Sequence, residues 1–372
     1  MKTKTIILVV AVILIAGAVY YLESLKVKPL DENVKSSVEE GAEVGIEENQ
    51  AALKDGIYPL TPELTGIVGY INANEGIKIS DFKGKVVLVD FWTYTCINCI
   101  RTLPFLTAWD EKYKDKGLVI IGVHTPEFEF EKDIENVKAA VEKYGIKYRV
   151  VQDNDYKTWR AFNNRFWPRK YLIDSDGYIR YDHIGEGAYA ETELKIQELL
   201  NEIGENIEGI NVTEEEERFS FQLTPELYAG YYLALSRGQD VGNIGGLKKE
   251  EVFDYVVPSN LEKDKIYLNG KWKSNSDNLE LIGDNGGIIL HFTAESVNIV
   301  ADSINPQSID ILINGEFISR TQGGNDVIFF ENKPFVSINK PQLYSIVNGA
   351  YESYVLELKV KKGFSFNSFT FG

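Results

Sequence analysis

The chain's two cysteines, Cys96 and Cys99, stand three positions apart in Cys96-Ile97-Asn98-Cys99. Three chemistries use such a pair. A thiolate can attack a disulfide, form a mixed disulfide and be displaced by the second thiol. The pair can also supply half of a zinc site, or close a short structural disulfide. Zinc asks for about four ligands. There is no second cysteine pair, and His124, His183 and His291 are dispersed. A scaffold stapled by disulfides would spread more cysteines along the chain. Redox exchange is the reading these counts favour. It requires a helix that begins at the first cysteine, because free N–H groups and the helix dipole favour a thiolate there. Cys99 then lies one turn further in, close enough to resolve.

The elements around the pair meet that requirement. Val86 to Val89 is a short apolar run that suits a buried parallel strand, and a helix is expected from Ile97 to about Lys116. Leu118 to Val123 reads as a second buried strand. Glu131 to Tyr144 is helical, with Ile134, Val137, Val141 and Tyr144 on one face. Arg169–Ile173 and Tyr178–Ile184 read as a strand pair joined at Asp174-Ser175-Asp176-Gly177, and a last helix runs from about Tyr189 to Ile203. Strands alternating with helices over residues 56–205 predict an α/β domain. Pro104 falls inside the helix that follows the cysteines and is expected to bend it. Pro168 opens the later strand after Trp167, and Arg169 and Lys170 place two cations next to it.

Beyond residue 224 the texture changes. Asn-Gly pairs occur at Asn269, Asn285, Asn314 and Asn348, and each is expected to mark a tight hairpin. Ile309, Ile311 and Ile313 alternate as a half-buried strand does. Residues 224–372 therefore predict an all-β, jelly-roll-like sandwich, joined to the first domain by a linker over 206–223. At the other end, Lys2 and Lys4 precede an apolar run from Ile6 to Leu22. Residues 1–22 read as a single membrane anchor, or as a signal peptide cleaved near Ala16-Gly17-Ala18. Residues 23–55 are an acidic tether. Either reading keeps the lysines inside and exports the rest. A net charge of -17 repels phosphate and excludes nucleic acid as a partner.

The motifs are also more specific than a CxxC alone. Val89-Asp-Phe-Trp92 before the cysteines resembles the thioredoxin family, and implies a three-layer αβα thioredoxin fold. The resemblance assigns Asp90 to the buried carboxylate that moves the resolving thiol's proton. Pro104 matches the family's helix-kinking proline, and Pro168 its cis-proline that holds substrate backbone. The run from Phe91 through Cys96 and Cys99 to Pro104 is similar to the periplasmic region of the DipZ proteins, relatives of the TlpA and ResA oxidoreductases. Ala108–Tyr113, Gly122–Phe128, Asp153–Tyr156 and Gly185–Tyr189 continue the likeness. Thr224–Gly230, Leu268–Trp272 and Phe369–Gly372 extend it into a carbohydrate-binding-like module. DipZ proteins carry a multi-helix membrane domain, whereas this sequence has one apolar segment. A separate CcdA-type membrane electron donor is the implied partner.

Three functions compete on these grounds. The first is thiol-disulfide exchange with exported cysteine-containing proteins. Cys96 would attack, Cys99 would resolve through a redox-active Cys96–Cys99 disulfide, and Trp92, Tyr94 and Trp167 would form an apolar contact surface. The second is peroxidase chemistry, for which Thr93 and Cys96 fit but Val89 stands where a proline is needed. The third is glycan binding, with Trp272 and Tyr228 as stacking platforms. No cofactor and no metal is expected.

Overall fold

The structure is a computed structural model that describes residue 54 and residues 56–213, 222–331 and 333–372. The expected anchor and most of the tether lie outside the described residues. Among the described residues no helix is long and apolar enough to cross a membrane.

The first domain is a six-stranded mixed sheet with helices on both faces. Its strands are β1 (Gly69–Ile71), β2 (Val86–Trp92), β3 (Leu118–His124), β4 (Arg149–Gln152), β5 (Arg169–Ile173) and β6 (Ile179–Ile184), in the order β1-β4-β3-β2-β5-β6. β2, β3 and β4 run parallel, β5 pairs antiparallel with β2, and β6 pairs antiparallel with β5. β2 and β3 are buried along their whole length, which explains why both read as continuous apolar runs rather than alternating ones. The helices are α1 (Ile97–Tyr113), α2 (Ile134–Lys143), α3 (Lys157–Ala161) and α4 (Tyr189–Glu202). Two apolar layers flank the sheet. One is built on Leu88, Trp92, Leu103, Leu106, Trp109 and Ile196, the other on Val87, Val89, Phe91, Trp159 and Phe162.

Two expected helices are shorter than the hydrophobic pattern predicts. The first α-helix stops at Tyr113, and Lys114–Lys116 tighten into a 3-10 turn before Gly117 at φ 92. The second opens as a separate 3-10 turn, Glu129–Lys132. Asp133 then starts a new helix by accepting the Glu135 N–H on its side chain.

The second domain is all β apart from one short helix, α5 (Tyr231–Ser236). Its strands are β7 (Leu227–Tyr228), β8 (Val252–Tyr255), β9 (Ile266–Ser274), β10 (Leu279–Leu281), β11 (Asn285–Ser303), β12 (Gln307–Ile313), β13 (Glu316–Phe317), β14 (Val327–Phe330), β15 (Lys333–Ile338), β16 (Gln342–Lys361) and β17 (Phe364–Phe371). The expected sandwich is joined differently from two separate sheets. Hydrogen bonds link all eleven strands into one sheet. It curls because β11 pairs β17 and β9, while β17 pairs β10 and β10 pairs β9, which closes a ring around the core. Register shifts at Ala294/Ser296 and Val297/Asn298 bend the long β11–β16 ladder.

Of the four Asn-Gly pairs, Asn314-Gly315 is the tight hairpin, with both residues at positive φ between β12 and β13. The other three lie within strands. Gly270 sits where β9 changes partner from β11 to β10. Asn348 lies next to the bulge in β16, and Asn285 opens β11.

Candidate functional site

The dithiol sits where β2 hands over to α1. Thr93, Tyr94 and Thr95 form the connection, and Cys96 is the N-cap of α1. The local reason is hydrogen bonding. The Cys96 N–H donates to the Thr93 carbonyl (3.3 Å), the Ile100 N–H donates to the Cys96 carbonyl (2.9 Å), and the Cys99 N–H donates to Cys96 Sγ (3.1 Å). A sulfur thus takes the capping place that a serine or aspartate oxygen usually fills. Both thiols are free. Cys96 is half-buried and Cys99 is buried.

Burial pushes the Cys96 thiol up, and the Cys99 thiol and N–H pull it back. Cys99 is pushed well above its ordinary value by burial, by Cys96 and by Asp90. The order is what matters. The more reachable sulfur, Cys96, is also the one whose thiolate has a donor waiting. Glu127 and Glu226 also raise Cys96, so the thiolate gains less from the helix terminus than its position alone implies.

Asp90 lies in β2 directly beneath, 1% exposed. Burial lifts its carboxyl to about 7, against the pull of Lys170. Its Oδ1 has no hydrogen-bond partner. Lys170, register neighbour of Asp90 on β5, is buried, and its Nζ reaches the Gly185 carbonyl at 3.2 Å. Arg169 faces away, onto Asp182 and the Tyr171 ring. Of the two cations beside Pro168, only Lys170 therefore acts on the site. His124, at the end of β3, is buried and held down to about 3, so it stays neutral; Thr93 lies 3.3 Å from its Nε2.

Pro168 is buried at the mouth, and the Trp167–Pro168 bond is cis. The Gly185 N–H is bound to its carbonyl at 2.8 Å. Trp167 is half-buried, donates to the Thr125 carbonyl at 3.1 Å and packs on Trp159. Exposed Phe166 precedes it, and Ile184, also exposed, pairs with Arg169 in the neighbouring strand. Neither has a spacing signal in the sequence.

Four expected contact residues are placed elsewhere. Trp92 is wholly buried and edges onto His124, so it is core and offers no surface. Tyr94 is buried, stacks on His124, and its hydroxyl donates to the Pro341 carbonyl of the second domain at 3.4 Å. Trp272 is wholly buried in the second domain's core, with its indole N–H on the Asn269 carbonyl at 2.8 Å. Tyr228 is buried too, beneath Arg237. Neither Trp272 nor Tyr228 presents a face to a sugar. Aromatic side chains on β-strands alternate between core and surface, and one sequence does not say which parity is which.

The second domain docks beside the dithiol. Ile97, the residue after Cys96, and Ile100 pack in one apolar cluster with Phe128, Tyr228, Leu233, Val300 and Leu343. Asp277 accepts the Glu129 N–H at 2.9 Å across the same seam. Glu131 ties the seam to the dithiol loop, accepting from the Thr95 hydroxyl and from the Glu127 and Phe128 N–H groups.

A three-layer αβα sheet, a CxxC at the N-terminus of its first long helix and a cis proline just before the strand that pairs with β2 make up a thioredoxin-like fold. Residues 69–198 match the Redoxin family, and residues 224–372 match the thioredoxin-like C-terminal domain family. The chain is similar to Protein DipZ of Mycobacterium tuberculosis, at 34% identity over 84% of this chain. The alignment covers 42% of that relative's length. It also resembles the thiol-disulfide oxidoreductases ResA of Bacillus thuringiensis and YkuV of Bacillus subtilis. The first is 34% identical over 30% of this chain and 61% of ResA; the second is 28% identical over 38% of this chain and 94% of YkuV.

Proposed function

We propose that this chain is an extracytoplasmic thiol-disulfide oxidoreductase acting on exported cysteine-containing proteins. The observation that carries the reading is the asymmetry of the dithiol. Cys96 is reachable and capped by the Cys99 N–H, while Cys99 is buried above Asp90. The Cys96 thiolate attacks a substrate disulfide, the S–S bond breaks, and the leaving substrate sulfur departs as a thiolate. A Cys96–substrate mixed disulfide remains. Cys99 gives its proton towards Asp90 and attacks Cys96 Sγ. The second substrate thiolate leaves, and a Cys96–Cys99 disulfide holds the two electrons' worth of oxidation. Asp90 suits this step because a carboxyl near neutrality can accept and return a proton.

The reaction stops after one turnover unless a dithiol donor returns two electrons. A CcdA-type membrane protein fits that place, and the Ile6–Leu22 segment would keep this chain beside it. Trp167 and Pro168, with Phe166 and Ile184, form the rim against which a substrate strand lies.

The test is a pair of variants assayed for reduction of a protein disulfide with dithiothreitol as donor. C96S abolishes turnover. C99S, mixed with the substrate disulfide without dithiothreitol, accumulates a covalent adduct that dithiothreitol then releases. Retained turnover in C96S refutes the reading. The dithiol's potential against glutathione then decides direction. A value near about -270 mV marks a reductant and one near about -120 mV an oxidant.

A further inference from the structure

Two carboxyl groups, one from each domain, meet a single phenol next to the dithiol. Tyr228 Oη lies 2.8 Å from an oxygen of Glu127 and 2.9 Å from an oxygen of Glu226. A phenol has one hydrogen. It can donate to one carboxylate. The other contact is attractive only if that carboxyl carries a proton and donates it to the phenol oxygen. The three groups together therefore hold one proton more than two ionised glutamates would. One cation balances the charge that is left. Arg237 reaches Glu127 at 3.3 Å and stacks 4.0 Å over the Tyr228 ring.

The other groups facing Glu127 are already committed. Glu131 spends its oxygens on Thr95 and on the Glu127 and Phe128 N–H groups. The Tyr156 hydroxyl donates to the carbonyl of Pro126, immediately before Glu127.

The neighbour of this cluster is the nucleophile. Tyr228 shares an apolar cluster with Ile97, the residue directly after Cys96. Glu226 and Glu127 both act against ionisation of the Cys96 thiol.

We propose that Glu127, Glu226 and Tyr228 form a proton-sharing clasp across the domain boundary that holds down the thiolate fraction of Cys96. Glu226 is then a positioning residue supplied by the second domain for chemistry in the first. The inference rests on the thiol-exchange reading. Burial, Glu226 and Glu131 push Glu127 up, so the shared proton persists at neutral pH. Losing that proton in alkali adds a second negative charge near Cys96. The thiol and the pair therefore titrate together, over a wider range than one isolated group.

The test uses the full reduced chain. The rate of iodoacetamide alkylation, localised to Cys96 by peptide mass, is followed from pH 5 to pH 10 in E127Q, E226Q and R237Q. E127Q and E226Q each leave one ionised glutamate that cannot gain the second charge in alkali, so the Cys96 midpoint shifts down by on the order of half a unit, or ~3-fold more thiolate at the alkaline pH where Cys96 titrates. R237Q removes the balancing cation and shifts it up. A role limited to holding the domains together predicts no such opposition of sign. Melting temperature checks that each variant is folded; if one fails to fold, the remaining glutamate variant and R237Q decide. Unchanged midpoints in folded glutamate variants overturn the proposal, as does a shift of the same sign in R237Q. That outcome leaves the exchange reading standing as long as C96S is inactive.

Discussion

Substituting Asp90 by asparagine separates the working carboxyl from its cost to the fold. Asp90 is 1% exposed, and burial raises it from 3.8 to about 7 even with Lys170 close by. An acid whose folded value is raised stabilises nothing by ionising. Its contribution is intact below about pH 4 and is lost as pH climbs towards the folded value. The loss is about three units at about 1.4 kcal/mol each, or ~4 kcal/mol once pH exceeds 7. Asparagine has nearly the same shape and never ionises, so D90N escapes this loss. The stability advantage of D90N over the wild type should grow by about 2.5 kcal/mol between pH 5 and pH 8. Comparing the growth of the gap cancels pH effects common to both proteins. The assay is guanidinium unfolding of the reduced proteins, monitored by tryptophan fluorescence. Under the same conditions D90N should resolve mixed disulfides more slowly, because the Cys99 proton has lost its acceptor. A gap that stays constant from pH 5 to pH 8 would refute the argument that Asp90 is buried, raised and ionised at working pH.

The remaining predictions test the scaffold. Trp272→Ala empties a fully buried site in the second domain and should cost ~3–5 kcal/mol, read by chemical denaturation. Glycan-array binding that disappears with Trp272 in an otherwise folded protein would contradict that burial. Glu193, fully buried in α4, accepts from Trp109, Lys112, Tyr113 and Thr213. Burial alone would raise its carboxyl, but those donors outweigh burial and hold it below its usual value. Its stabilisation is therefore present above the unfolded carboxylate value and lost as pH falls below it. E193Q should cost about 2–3 kcal/mol at pH 7, and less near pH 3.

The first domain was legible because its signals are local. The apolar runs of β2 and β3 follow from burial on both faces, and the β5 boundaries, Arg169–Ile173, are those the pattern predicts. The dithiol's position at a helix start follows from short-range hydrogen bonds around Cys96. The second domain was legible in class only. Asn-Gly pairs signal positive φ, and a bulge or a change of strand partner uses that as readily as a hairpin does. That is why Gly270 sits inside β9 and only Asn314-Gly315 turns the chain tightly. Long ladders with bulges then joined the strands into one curled sheet, a consequence of pairings far apart in sequence.

What the sequence determined by itself is the chemistry available: two thiols at helix-capping spacing, a carboxyl six residues upstream at Asp90, and a proline before a strand. What only the tertiary structure decided is the environment of those groups. Burial leaves Cys96 more reachable than Cys99 and raises Asp90, and it turns Trp92 and Trp272 from candidate surfaces into core. The same packing brings Glu226 and Tyr228 to the neighbourhood of Cys96, more than a hundred residues away in sequence. Desolvation and Coulomb interactions depend on distance through space. No periodicity along the chain encodes them, so the neighbours that tune the dithiol appear only once the two domains are docked.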